Sequence, residues 1–84
     1  MTSPKYTADN ITAEQIREVL VANQAELSSL HVTLATYLQR VRLANIVHHA
    51  RVALGERRAR RGGSRAKSRA RIAEILNARA KAVR

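Results

Sequence analysis

From Ile16 onward, positions recur at spacings of three and four: Ile16, Leu20, Asn23, Leu27, Leu30, Leu34, Tyr37, Val41, Ala44, His48 and Val52. Most are apolar, so the set marks one face of a helix, and its spacing resembles a coiled-coil heptad. A start signal stands just ahead of it. Thr12-Ala13-Glu14-Gln15 fits a capping box with Thr12 as N-cap and Gln15 at N3, and Ile11 and Ile16 occupy the two positions of a hydrophobic staple. Glu14 suits the positive end of the helix dipole. Ahead of this signal, Pro4 and the polar Thr, Ser, Asp and Asn residues disfavour a helix, which predicts a flexible arm over residues 1–11.

No Gly or Pro interrupts residues 12–54. Two arrangements fit. One is a continuous or gently bent helix, about 65 Å long at roughly 1.5 Å per residue. The other is a helical hairpin with its turn near Ser28-Ser29, either serine capping the second helix. The pattern favours the long helix, because Leu27 and Leu30 keep the apolar face in phase and no Gly or Asn offers a left-handed cap there. A lone helix of that length would expose its apolar stripe, so residues 12–55 read as an oligomerisation region. Ile16, Leu20, Leu27, Leu30, Leu34, Tyr37 and Val41 are the candidate contacts.

Gly55 weakens a helix without having to end it, so residues 56–61 could extend it by a turn or two. Gly62-Gly63 is the expected stop, and Ser64 can cap the next helix. Ile72, Ile75, Leu76, Arg79, Ala80 and Val83 resume the helical period, which predicts a short basic helix over 65–83. Its like charges suggest that it forms only when a partner is bound. The fold class that results is all-α: a long amphipathic helix or helical hairpin over about 12–61, then the short basic helix, as an oligomer.

Composition supports this class. With 84 residues and no Cys, the chain is one small domain with neither disulfides nor thiolate metal sites, so self-association is the expected source of extra stability. It has no Trp or Phe and only Tyr6 and Tyr37 as Tyr, leaving Leu, Ile, Val and Ala to build the core. The absence of Cys fits a cytoplasmic location. The N-terminus lacks the basic and apolar regions of a signal peptide, and the apolar runs are too short for a transmembrane helix.

Charge divides the chain. Residues 1–38 carry two basic residues against four acids, whereas residues 39–84 carry fourteen against two, within a net charge of +10. Eight of the sixteen residues from 56 to 71 are Arg or Lys, with Glu56 the lone acid among them. Such a block implies an anionic partner. Residues 56–84 therefore read as a nucleic-acid-binding arm that contacts phosphates. The candidates are Arg57, Arg58, Arg60, Arg61, Arg65, Lys67, Arg69, Arg71, Arg79 and Lys81. Thirteen of the sixteen basic residues are Arg, whose planar fork suits phosphate and carboxylate better than Lys does. The near-absence of aromatic residues counts against base stacking, as in single-strand platforms.

Other chemistries have less behind them. A helix-turn-helix would need its turn at Gly62-Gly63, with residues 42–61 as its first helix. His31, His48 and His49 are the conventional metal ligands, but no carboxylate stands three or four residues from any of them, so no metal or cofactor is expected. His48, on the apolar face, could make assembly pH-sensitive. No nucleophile motif or Gly-rich phosphate loop is present, so the chain reads as a non-enzyme. An amphipathic basic C-terminal helix could also lie on an anionic membrane, a secondary possibility without an aromatic anchor. The expectation is a nucleic-acid-binding protein (DNA or RNA) that forms a homo-oligomer. The alternative is a small helical assembly or scaffolding-type protein whose basic tail binds an acidic protein partner.

Overall fold

Three helices succeed one another in the computed structural model, which describes residues 4–82: α1 (Ala13–Ser29), α2 (Tyr37–Ala53) and α3 (Arg65–Ala82). No strand occurs among the described residues, so the all-α class holds. Val83, placed by the sequence on the apolar stripe of the last helix, lies outside the described residues.

The start of α1 is built as its sequence dictates. The Thr12 Oγ1 accepts from the Gln15 N–H at 3.1 Å, and the Thr12 N–H donates to the Gln15 Oε1 at 2.9 Å, a complete capping box. Ile11 and Ile16 are both buried in the core, as a staple requires.

Residues 12–54 are a hairpin, not the long helix that the unbroken phase favours. The turn runs from Leu30, whose extended backbone closes α1, to Thr36 ahead of α2. Neither serine caps the second helix: Ser29 Oγ donates back to the Glu26 carbonyl. Instead Thr33 and Thr36 hold the turn. The Thr33 N–H donates to Thr36 Oγ1 at 2.8 Å, and that hydroxyl donates to the His31 carbonyl at 2.8 Å. Hydroxyl side chains that satisfy nearby backbone groups offer the chain an alternative to the helical ladder, and Val32 and Thr33 are β-branched.

Energetics favour folding back. Ile16, Val19 and Leu20 of α1 pack with Val47, Ala50 and Ala53 of α2, and Ile72 and Ala73 of α3 complete the cluster. Burying a large aliphatic side chain contributes about 1.5–3 kcal/mol, which a solitary straight helix would forgo. The predicted oligomerisation stripe is thereby split. Ile16 and Leu20 are inside the core, Leu27 and Leu30 are half-buried, and Leu34, Tyr37 and Val41 are exposed. The stripe is no continuous seam.

The extension of α2 through residues 56–61 is also corrected. Gly55 takes φ +80°, the Gly55 N–H donates to Val52 O at 3.0 Å, and the Glu56 N–H donates to Arg51 O at 2.9 Å. This is a complete Schellman motif, and it stops the helix well before Gly62-Gly63 would.

α3 packs on α2 and scarcely meets α1. It is helical through its own packing, because Ser68, Ile72 and Ala73 are buried and Ile75 and Leu76 partly so. The segment ahead of α1 is irregular but tied to α3. The Asn77 side-chain amide accepts from Tyr6 N–H and donates to Tyr6 O, each at 2.9 Å. No helix among the described residues is long and apolar enough to cross a membrane.

Candidate nucleic-acid interface

The cationic surface begins where α2 stops. After Gly55, residues 56–64 run as a non-helical loop, and backbone contacts decide which cations point away from the protein. Arg65 Nε donates to the Ala53 carbonyl at 3.0 Å, satisfying a helix-end acceptor where the dipole favours positive charge. Within the loop is a tight turn, with the Gly63 N–H donating to Arg60 O at 2.8 Å and Gly62 at φ +82°. That geometry is the type II turn, in which glycine removes the steric cost of positive φ. Ser64 then caps α3 by accepting from the Lys67 N–H at 3.1 Å, as its sequence position suggests.

The ten predicted phosphate contacts divide into two groups. Five have internal partners. Arg57 Nη1 donates to His48 Nδ1 at 3.3 Å, Arg65 holds Ala53 O, and Lys67 Nζ donates to Gly62 O at 2.9 Å. Arg71 pairs with Glu74 at 3.3 Å on the surface, a weak and solvent-screened contact. Arg69 is the most committed: its Nε donates to Ala8 O and its Nη2 to Ile11 O, both at 2.7 Å. The other five, Arg58, Arg60, Arg61, Arg79 and Lys81, have no hydrogen bond or ion pair among the described residues and are exposed. Lys67, Arg71 and Lys81 recur along the exposed side of α3 at helical spacing. Residues 56–81 thus contribute a free loop group, a ridge on α3 and at least two cations spent on the fold.

Tertiary packing adds two residues that the charge block did not include. His48 is buried and His49 half-buried, with ring centroids 5.3 Å apart in an edge-on arrangement. His49 Nδ1 lies 2.9 Å from the Ser68 hydroxyl of α3. Burial, then the positive charges of Arg60, His49 and Arg57, hold the His48 imidazole below its ordinary value of 6.5. Burial, then Arg71 and Arg60, do the same for His49. Arg60 acts on both rings. Three separate segments, the end of α2, the loop and the first turns of α3, therefore converge on one cationic cluster. The adjacency of His48 and His49 was visible in the sequence, but nothing there placed Arg60 and Arg71 beside them.

The helix-turn-helix expectation does not hold. Eleven residues, 54–64, separate α2 from α3, against the three or four of such a unit. Among the described residues no group of three His, Asp or Glu stands close enough to hold a metal ion. A shallow depression on α1, lined by Glu14, Arg17, Glu18, Val21 and Ala22, contains none of the cationic cluster. Apart from Val21 on α1, the exposed large apolar side chains gather at the hairpin turn and the start of α2: Val32, Leu34, Tyr37, Leu38 and Val41, with Leu34 fully exposed. At about 1.5 Å per residue, the 17-residue α2 puts this tip roughly 25 Å from the cationic loop.

Comparison with known protein families, with curated proteins and with solved structures gives no match to this chain. What the surface does must therefore be argued from its chemistry.

Proposed function

We propose that the chain binds nucleic acid through the loop after α2 and the exposed side of α3, without base-specific readout. The observation that carries this is the group of unpartnered guanidiniums at Arg58, Arg60 and Arg61, adjoining the Arg57–His48 and Arg71 cluster. Internal acids to neutralise them are few: Glu56 is paired with Arg51 and Glu74 with Arg71. Binding of the guanidiniums to phosphates would displace condensed counterions from the nucleic acid, giving affinity that falls steeply with salt. A duplex backbone suits the surface better than unstacked bases, because Tyr6 packs on the core and Tyr37 sits at the opposite end of α2.

Self-association through Leu34, Tyr37, Leu38 and Val41 would present two cationic loops together and raise avidity. The same exposed tip favours the second reading, an assembly protein whose basic end grips an acidic protein. A mobility shift of duplex DNA or RNA in increasing salt separates the two. Binding that weakens by orders of magnitude between low and physiological salt supports the first; no shift at any salt, with nuclease-insensitive co-purification of an acidic protein, supports the second.

A further inference from the structure

We infer that the His48–His49 pair belongs to the anion site: a phosphate held by Arg57, which contacts His48, is bound together with a proton taken up by these rings. This rests on the proposed polyanion surface and adds its regulation by pH.

The geometry makes Arg57 a switchable cation. In the free chain its Nη1 donates to His48 Nδ1 at 3.3 Å, so that nitrogen must be unprotonated and the imidazole neutral. A phosphate oxygen is a stronger, charge-assisted acceptor than a neutral imidazole. When Arg57 turns to a phosphate, His48 Nδ1 loses its donor and is left with a lone pair free to take a proton from solvent. His49 lies next to it, held on the other side by Ser68 of α3 at 2.9 Å.

The surrounding charges set the sign. His48 is faced by Arg57 and Arg60 of the loop and by His49 on its own helix; His49 is faced by Arg60 of the loop and by Arg71 and Ser68 of α3. In the free chain these cations, with burial, oppose protonation of both rings. A bound phosphate cancels the cations and becomes a direct attractor of the imidazolium, so the bound state holds more protons. By linkage, affinity must then rise as pH falls through the histidine range. His31 is exposed at the hairpin turn, far along α2 from this cluster, and serves as an internal control.

The test measures anisotropy of a labelled short DNA duplex at fixed ionic strength from about pH 8 to about pH 5.5, a window that spans histidine titration. Circular dichroism confirms that the protein is folded at each pH. Affinity should tighten about tenfold for each pKa unit by which phosphate raises a ring. Calorimetry near pH 6.5 in two buffers of different ionisation enthalpy should show net proton uptake on binding. His49→Gln should lose much of the tightening in acid, whereas His31→Gln, outside the cluster, should keep both the affinity at about pH 8 and the tightening. His48→Asn, which preserves an acceptor near Nδ1, is a second probe; if it does not fold, calorimetry on the unmodified protein still decides. Binding with the same affinity across this range, or without proton uptake, overturns the inference while leaving the polyanion surface standing. No binding even at low salt and about pH 8 overturns both.

Discussion

Arg69 is where the charge pattern and the packing make opposite predictions. Read as part of a basic block, it is a phosphate contact; in the fold, its guanidinium spans two backbone carbonyls of the segment ahead of α1, Ala8 O and Ile11 O, at 2.7 Å each. Arg69→Ala removes both bonds and leaves two partly buried acceptors unmatched. A hydrogen bond from a charged donor contributes about 1.5–3 kcal/mol. Because Arg69 is half-exposed, we expect a total loss of about 2–4 kcal/mol after discounting for solvent screening. A chain of 84 residues has roughly 4–13 kcal/mol to lose, so the urea midpoint should fall markedly. Arg69→Lys keeps the charge but cannot bridge both carbonyls, so its midpoint should lie between those of the parent and Arg69→Ala. The slope of log affinity against log salt for a DNA duplex should stay the same in both variants once measured where they are folded. An unchanged urea midpoint with a slope reduced by about 0.9, the value of one lost phosphate contact, would refute the structural role and restore Arg69 to the binding surface.

Arg61→Ala should behave in the opposite way, with stability within about 0.5 kcal/mol of the parent and a salt slope lower by about one, read from anisotropy titrations. Gly55→Ala places a Cβ at φ +80°, which costs about 1–2 kcal/mol; a thermal melt that does not move would contradict the Schellman cap. The native chain holds His48 and His49 below 6.5, so the unfolded chain binds more protons in acid. Stability is therefore constant above 6.5 and declines as pH falls below it, which melting temperatures across that range will show. Leu34→Glu with Leu38→Glu alters side chains that are 100% and 78% exposed, so the fold should survive. If the tip self-associates, sedimentation should show the oligomer dissociating; an unchanged profile would place self-association elsewhere.

Much of the local structure was legible in sequence, because its causes lie within a few residues of each other. Thr12 and Gln15 meet across one helical turn, Ser64 sits three residues from the N–H it caps, and the 65–83 stripe recurs at 3.6. The same reasoning failed at residues 30–36. There Leu27, Leu30 and Leu34 stay in phase, yet Thr33 and Thr36 bond to local backbone and the chain folds back. The signal was the run of β-branched and hydroxyl residues, which is weaker than Gly or Pro. Periodicity reports that a face is apolar and is silent on what covers it. Here another part of the same chain covers Ile16 and Leu20, while Leu34 is left bare.

By itself, then, the sequence determined the all-α class, the starts of α1 and α3 and the concentration of positive charge after residue 39, each of which depends on neighbours in the chain. Only the tertiary structure decided that α1 and α2 form a hairpin, that Arg65 and Arg69 serve the fold, and that His48 and His49 sit among Arg57, Arg60 and Arg71. The reason is physical. A guanidinium that backbone carbonyls hold, as they hold Arg65 and Arg69, is spent on the fold, and which acceptors packing brings within about 3 Å is a distance that charge counting does not contain.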